Sequence, residues 1–440
     1  MGPLAELLTA MGHEVSGSDA RSNPMTRRLT EKGVRIHLGH AQHHLEGAQR
    51  VIISSAIPSD NPELVGARNQ GLTILRRGEL LAELFNGRRG IAISGAHGKT
   101  TTSAMVSAIL LEAGLDPSFL VGAPVPELGG SCRWGAGEHF VAETDESDGS
   151  FLSLHPWISV LTNIDAEHLD YYRGLKDVLA AFEAFVGNIK ADGFLIVCAD
   201  SKPLDAVLGS SKTHRVRYGF SETADLRGEV IHLSAQGSQT RIFWKGRPIG
   251  SLHLVVPGRH NISNALAALS VGCLLQIPFE AMAQALGRYS GAERRFEILG
   301  RANGVTVIDD YAHHPTEIRA TIDAAKLLGA SKLWVVFQPH RYTRVRFLME
   351  EFSAAFEGAD ALIVTDIYAA SESPLAGGSM EDLLERLRRR HPCVMAVDRT
   401  QVAETLAGQV RSQEAVLFVG AGDLTAQARR LLEMLKEVVG

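Results

Sequence analysis

Gly90-Ile-Ala-Ile-Ser-Gly-Ala-His-Gly-Lys-Thr-Thr-Thr102 is the stretch that decides how this 440-residue chain folds. Ile91 to Ser94 read as a buried strand, Gly95 and Gly98 bracket a turn, and Lys99 with Thr100 to Thr102 opens a helix. Such a turn points successive backbone N–H groups into one concavity at a helix N-terminus, which suits a phosphate. Lys99 is placed to bridge the β- and γ-phosphates of a nucleoside triphosphate, and the Thr100 hydroxyl to ligate Mg²⁺. The predicted triphosphate loop therefore runs Gly95, Ala96, His97, Gly98, Lys99, Thr100, Thr101. It departs from the usual G-x-x-x-x-G-K-[ST] pattern, which wants glycine where Ile93 stands. A tight turn with a chance lysine is the plainer alternative. Strand, glycines, Lys-Thr and helix occurring in the motif's order argue against it.

Composition bounds the rest. Hydrophobic residues make up 45% and charged residues 21% of the chain, ordinary for a globular protein, and the net charge is −6. A nucleic-acid or anionic-membrane partner would show as a basic excess, so neither is expected. The basic cluster Arg386 to Arg390 follows Glu381-Asp382 and reads as a solvated helix face. No apolar run approaches a membrane span, and the start lacks a charged region followed by an apolar one. Cys132, Cys198, Cys273 and Cys393 share no metal-ligand spacing and read as buried thiols in a reducing compartment. The expected location is the cytoplasm.

Short β-rich runs alternate with amphipathic helices in three segments, which predicts three α/β units spanning 1–88, 89–290 and 291–440. A helix over Gly78 to Phe85 closes the first. Val230 to Val256 in the second alternates like hairpin edges, and Ser290-Gly291-Ala292 suits a hinge. The third carries buried-strand runs at Val305–Ile308, Leu333–Phe337, Ala361–Thr365 and Ala415–Val419, which argues a doubly wound parallel sheet.

Polar clusters follow these strands, where open α/β sheets bind ligands. Phe140-Val141-Ala142 runs into Glu143, Asp145, Glu146 and Asp148, and one of these acids is expected to ligate nucleotide-bound Mg²⁺. Ile158 to Thr162 leads to Asp165, Glu167, His168 and Asp170, where the histidine suits either a ligand or a core role. Asn261 and Asn264 precede an expected helix over Ala265 to Leu275 and suit either a cap or an adenine-edge contact. Asp309, Asp310, Tyr311, His313 and His314 follow Ile308, and Pro315 suits a first helical turn. Arg341 and Arg344 lie three apart, so on a helical turn their guanidinium groups would converge on one small carboxylate.

Taken together, GAHGKTTT, AETDESD, TNIDAEHLDYY, GRHNISNA, DDYAHHPTE, FQPHRYTR, TDIYAA and VGAGD occur in an order that resembles the Mur ligase family over nearly the whole chain. The FQPHRYTR octet resembles the L-alanine-adding branch rather than the murein-peptide-recycling one. The resemblance implies a Rossmann-like UDP-binding domain, a central P-loop ATPase domain and a C-terminal Rossmann-like domain. It implies ATP and Mg²⁺ as cofactors, with UDP-N-acetylmuramate and L-alanine as substrates, in peptidoglycan precursor synthesis. By matching position, Thr100, Glu143 and His168 would hold the metal, and Asn261 and Asn264 the adenine side. Arg295 and Asp310 would embrace the nucleotide from the third domain. Tyr311, His313, Arg341 and Arg344 would line the amino-acid site, with His313 as a candidate base. The implied chemistry is a carboxylate attacking ATP to give an acyl phosphate, which the amine of L-alanine then opens.

Two departures accompany the resemblance. The family's first domain opens with a strand and a glycine-rich loop for the UDP pyrophosphate, whereas Met1-Gly2-Pro3-Leu4 resembles only the tail of that loop. The expectation is a start assigned downstream of the true one and a first-domain sheet lacking its central strand. The alternative is impaired UDP-sugar binding. Gly12 to Asp19 and Ser54-Ser55-Ala56 still match that domain, and Asp19, Ser54 and Ser55 are expected at the sugar-nucleotide site. Other branches carry a carbamylated lysine fifteen residues past the histidine. Here Glu183 stands there, as the L-alanine branch implies. Two rivals stay open, a P-loop switch ATPase without an alanine site and a non-catalytic sugar-nucleotide-binding remnant.

Overall fold

The strand Arg89–Ser94 is the axis of the molecule. Its Ile91, Ala92 and Ile93 are fully buried, because a parallel strand covered on both faces hides the side chains of both. The computed structural model describes residues 1–54, 56–168, 171–208 and 213–437. Among them, ten strands form the central sheet. Its parallel core runs Phe194–Cys198, Ile158–Leu161, Arg89–Ser94, His139–Glu143, Ser118–Val125. All the polar clusters that follow these strands therefore emerge at one edge. Beyond His214–Gly219, the strands Leu226–Ser234, Gly237–Trp244 and Arg247–Leu254 form an antiparallel meander, as the alternation over Val230 to Val256 predicts.

Helix Lys99–Glu112 begins directly at the glycine turn. It is buried nearly all round because it packs between this sheet and helix Arg259–Leu274. That second helix starts six residues before the expected Ala265. Asn261 and Asn264 therefore lie within its first turns, and neither is the N-cap, which is Gly258.

The C-terminal sheet runs Glu297–Ala302, Val305–Asp310, Ala415–Val419, Leu333–Phe337, Ala361–Val364, Val394–Ala396. All but the first are parallel, and separate apolar clusters cover the two faces. The four predicted strands form its centre. The two edge strands were not predicted, being half-exposed and, in Glu297–Ala302, interrupted by Gly300.

In the first domain, Ser16–Asp19 pairs with Arg35–Leu38 and Arg50–Ile53 with Thr73–Arg76, both in parallel. Among the described residues the two pairs are not hydrogen-bonded to each other. Leu4 and Leu7 of helix Gly2–Ala10 are buried in the central domain's own core. No helix among the described residues is long and apolar enough to cross a membrane.

Candidate active site

The glycine turn closes against the neighbouring strand end. Gly95 has φ 128°, and a Cβ there would stand 2.3 Å from Thr162 Oγ1 and 2.7 Å from the Asn163 carbonyl oxygen. At Gly98, φ is 82° and a Cβ would meet Asn264 Oδ1 at 2.5 Å. Only glycine fits either position. Lys99 Nζ donates to the carbonyls of Gly95 (2.6 Å) and Ala96 (3.2 Å) and to Glu146 Oε1 (2.7 Å). Burial disfavours this ammonium, but Glu146, Glu167 and Glu143 outweigh it and hold the pKa above the usual lysine value.

Acidic groups cluster beside the lysine. Glu143 Oε2 accepts the Gly122 N–H at 2.8 Å. A Cβ on Gly122 would stand 2.4 Å from that oxygen and 2.7 Å from Thr100 Oγ1, so the two oxygens converge on one point. Gly122→Ala should therefore displace Glu143 from the loop while the buried strand holds. ATP turnover, measured with thermal melting as a control, is expected to fall at least tenfold, roughly the effect of one lost charge-stabilising contact. His168, at φ 53°, sits apart from this pair, with Nε2 3.7 Å from Glu146 Oε1 and 3.8 Å from Glu167 Oε2. Burial opposes the His168 imidazolium, but Glu146 and Glu167 raise its pKa. The expected metal residues Thr100, Glu143 and His168 thus fall into two neighbouring groups, the second completed by Glu146 and Glu167. Glu146 Oε2 is buried without a hydrogen-bond partner. Carboxylate and hydroxyl oxygens with one imidazole, and a buried acceptor left over, fit a hard divalent cation such as Mg²⁺.

The C-terminal domain closes over this edge. Arg294 (φ 58°) and Phe296 (φ 49°) flank Arg295, whose Nη2 donates to Thr100 Oγ1 at 3.5 Å. Asp310 accepts the N–H groups of Phe296 and Ala312, each at 2.7 Å, and burial lifts its pKa to about 6 although Arg295 opposes this. His313 is pressed down to about 4, first by burial and then by Arg344. Arg344 Nη1 lies 3.0 Å from His340 Nδ1, and its Nη2 lies 3.7 Å from Glu167 Oε1. Arg341 is not on a helical turn as expected. It precedes helix Tyr342–Phe347 with φ 66° and ψ 135°, a backbone state that costs roughly 1–3 kcal/mol. Both arginines nonetheless line the same cavity.

Two cavities flank the glycine turn. One, of about 490 Å³, sets Lys99, Glu143 and His168 opposite Tyr311, Arg341 and Arg344. The other, of about 620 Å³, is lined by Thr101, Asn261, Asn264 and Asp310, among others. Gly98, Arg295 and Glu317 line both. Asp19 and Ser54 line neither. Asp19 is engaged by the Arg21 N–H and the Asn23 amide, and the first domain reaches the cavity through Met1, Pro3, Leu4 and Arg77 instead. Ser55 lies outside the described residues.

His97 joins the two domains. Its Nε2 lies 3.2 Å from Asp165 Oδ2, and its Nδ1 lies 3.3 Å from Glu317 Oε1 of the C-terminal domain, a separation that pairs charges without a well-formed hydrogen bond. Burial opposes the imidazolium, yet Asp165 and Glu317 raise its pKa from 6.5 to about 10. A pKa raised on folding stabilises fully below the unfolded value and is lost as pH rises through the folded one. The stability lost in His97→Gln, read as a melting-temperature difference, should be constant below pH 6.5 and vanish near pH 10.

Residues 1–89, 93–272 and 294–422 match the Mur ligase family catalytic domain, the Mur ligase middle domain and the Mur ligase glutamate ligase domain. The UDP-N-acetylmuramate–L-alanine ligase of Pelotomaculum thermopropionicum is 41% identical over 99% of this chain and 95% of its own length. The chain belongs to the Mur ligase family. The UDP-N-acetylmuramate–L-alanine ligase of Sorangium cellulosum is 43% identical over 99% of this chain and 94% of its own length. Among solved structures, the UDP-N-acetylmuramate–alanine ligase of Thermotoga maritima superposes with a TM-score of 0.84 at 28% identity, covering 100% of this chain and 97% of that one. A murein peptide ligase of Psychrobacter arcticus superposes at 0.74 and 26% identity, over 100% of this chain and 97% of that one. This Mur ligase thus has the three-domain α/β architecture of its family, whose members use ATP.

Sequence reasoning missed Arg77, Glu146, Glu167 and Glu317 as residues of the Mur ligase cavities. Glu146 and Glu167 stood inside quoted acidic motifs with nothing to rank them above their neighbours. Glu317 likewise closed the quoted DDYAHHPTE motif, whereas Arg77 reaches the cavity from a helix whose local sequence carries no such signal.

Proposed function

We propose that this chain joins L-alanine to the lactyl carboxylate of UDP-N-acetylmuramate with cleavage of ATP to ADP, a step of peptidoglycan precursor synthesis. The observation that carries this reading is the 490 Å³ cavity, where a phosphate loop and carboxylates confront an arginine pair across a domain boundary. A switch ATPase has no use for that pair. Residues 89–290 bind ATP and residues 291–440 bind alanine and close over the nucleotide, while 1–88 present the sugar nucleotide.

The lactyl carboxylate oxygen attacks the γ-phosphorus of ATP, the bond to the β-phosphate oxygen breaks, and ADP leaves. The alanine nitrogen then attacks the acyl carbon, and the carbon–oxygen bond to phosphate breaks. The ammonium sheds one proton before attack and a second after it. Two anions meet in the first step, so Lys99 and Arg295 offset the repulsion between them. Thr100, Glu143, Glu146 and His168 would hold Mg²⁺, which neutralises phosphate charge when bound. Gly95 through Thr101 wrap the triphosphate, with Asn261, Asn264 and Asp310 on the nucleoside side. Arg341 and Arg344 hold the alanine carboxylate so that its nitrogen faces the acyl carbon. His313 is neutral near pH 7, as a base must be, but at about 4 it binds a proton too weakly to keep it. Its role narrows to passing the proton on. Arg77, which lines the cavity, supplies positive charge toward the sugar nucleotide's phosphates.

The test is stoichiometry. With UDP-N-acetylmuramate, L-alanine, ATP and Mg²⁺, equal amounts of ADP, phosphate and amide product are expected, with no steady turnover when either co-substrate is omitted. Steady ATP hydrolysis indifferent to both acceptors would overturn the reading and favour a hydrolysing switch.

A further inference from the structure

Glu167 is a charged side chain whose surroundings leave its oxygens uncommitted. Its side chain is only 8% exposed, and it lines the 490 Å³ cavity at the domain boundary. Arg344 Nη2 lies 3.7 Å away, His168 Nε2 3.8 Å and His313 Nε2 3.9 Å. These separations compensate its charge, but among the described residues no donor reaches hydrogen-bonding distance. A carboxylate has about four acceptor sites, and burying it without hydrogen bonds is costly.

Each of the other described carboxylates at this cavity accepts at least one hydrogen bond, Asp145 from the Ser147 N–H and hydroxyl. Glu146 accepts from Lys99, and Glu143 from the Gly122 N–H. Glu317 faces His97 and Arg295 and accepts the N–H groups of His313 and His314. Among the described carboxylates lining this cavity, Glu167 is the one that accepts no hydrogen bond on either oxygen, and it lies beside Arg344. A zwitterion lying along that pair finds an anion for its ammonium and, 3.7 Å from it, a cation for its carboxylate.

We propose that Glu167 receives the α-ammonium group of the incoming amino acid whose carboxylate lies on Arg344, and so selects α-amino acids over other small carboxylates. The assignment rests on the alanine-ligase reading above. Glu167 binds and orients the substrate.

Glu167→Gln keeps the volume and removes the charge. The KM for L-alanine is expected to rise about 10- to 100-fold, as for a lost hydrogen bond between charged groups. The KM for ATP should stay within about twofold, and any change in the Mg²⁺ concentration for half-activation should be smaller than the change in alanine KM, since Glu167 also borders the His168 group. Propionate, which has the carboxylate but no ammonium, supplies the discriminating readout. Its inhibition constant against L-alanine should be unchanged or lower in the variant, whereas a merely structural loss would weaken both ligands together. Should Glu167→Gln fail to fold, Glu167→Asp takes its place. It keeps the charge but draws it back by one methylene, and must raise the alanine KM without weakening propionate.

An unchanged alanine KM, parallel weakening of propionate, or a shift confined to Mg²⁺ activation would each overturn the assignment while leaving the ligase reading intact. A wild-type chain that ligates no L-alanine would overturn both.

Discussion

Lys99→Ala should lower ATP-dependent amide formation by about a hundredfold or more, the loss typical of a charge contact made in the transition state. The ammonium sits on the Gly95 and Ala96 carbonyls and on Glu146, at the one place where the glycine turn and the acidic cluster meet. The turn itself depends on Gly95 and Gly98, so the fold should survive the substitution. Glu146 is almost fully buried and loses its closest cation, so some loss of stability is expected as well. Phosphate release measured beside circular dichroism separates the two effects. Near-normal turnover in a folded variant would remove the loop from the chemistry.

Arg344→Ala should raise the KM for L-alanine about 30-fold or more, because removing one side of a buried charged contact costs upward of 2 kcal/mol. The KM for ATP should change little. Arg344→Lys should also be costly, since a point charge cannot replace a planar fork on a carboxylate. Propionate distinguishes this arginine from Glu167: its inhibition constant should worsen in Arg344→Ala and not in Glu167→Gln. A change in ATP parameters alone would assign Arg344 to the nucleotide.

The triphosphate loop was legible because its parts are contiguous, so that strand, glycines, lysine and threonine report one local structure. The central strands of the C-terminal sheet were legible for a similar reason, being short runs apolar on both faces. What stayed hidden arises only when distant segments meet. Glu167 gains meaning from Arg344 and His313, which belong to another domain. His97 stood in the loop as one more residue, and only the fold sets it between Asp165 and Glu317. Arg341 reads like a helical residue, yet it takes a positive φ beside the parallel bridge between His340 and Tyr368, which no local pattern announces. Asp19 and Ser54 show the reverse. Their motifs match the family's first domain, but their side chains line neither cavity.

The central claim is that an acyl phosphate links ATP cleavage to amide formation in one cavity. It is tested most directly by following oxygen. UDP-N-acetylmuramate labelled with ¹⁸O in its lactyl carboxylate is turned over with L-alanine, ATP and Mg²⁺, and the released phosphate is analysed by mass. Attack of the carboxylate on the γ-phosphate carries one carboxylate oxygen into the phosphate, so each phosphate should hold a single ¹⁸O from fully labelled substrate. Phosphate free of ¹⁸O, with the displaced label found in AMP or water instead, would contradict the account.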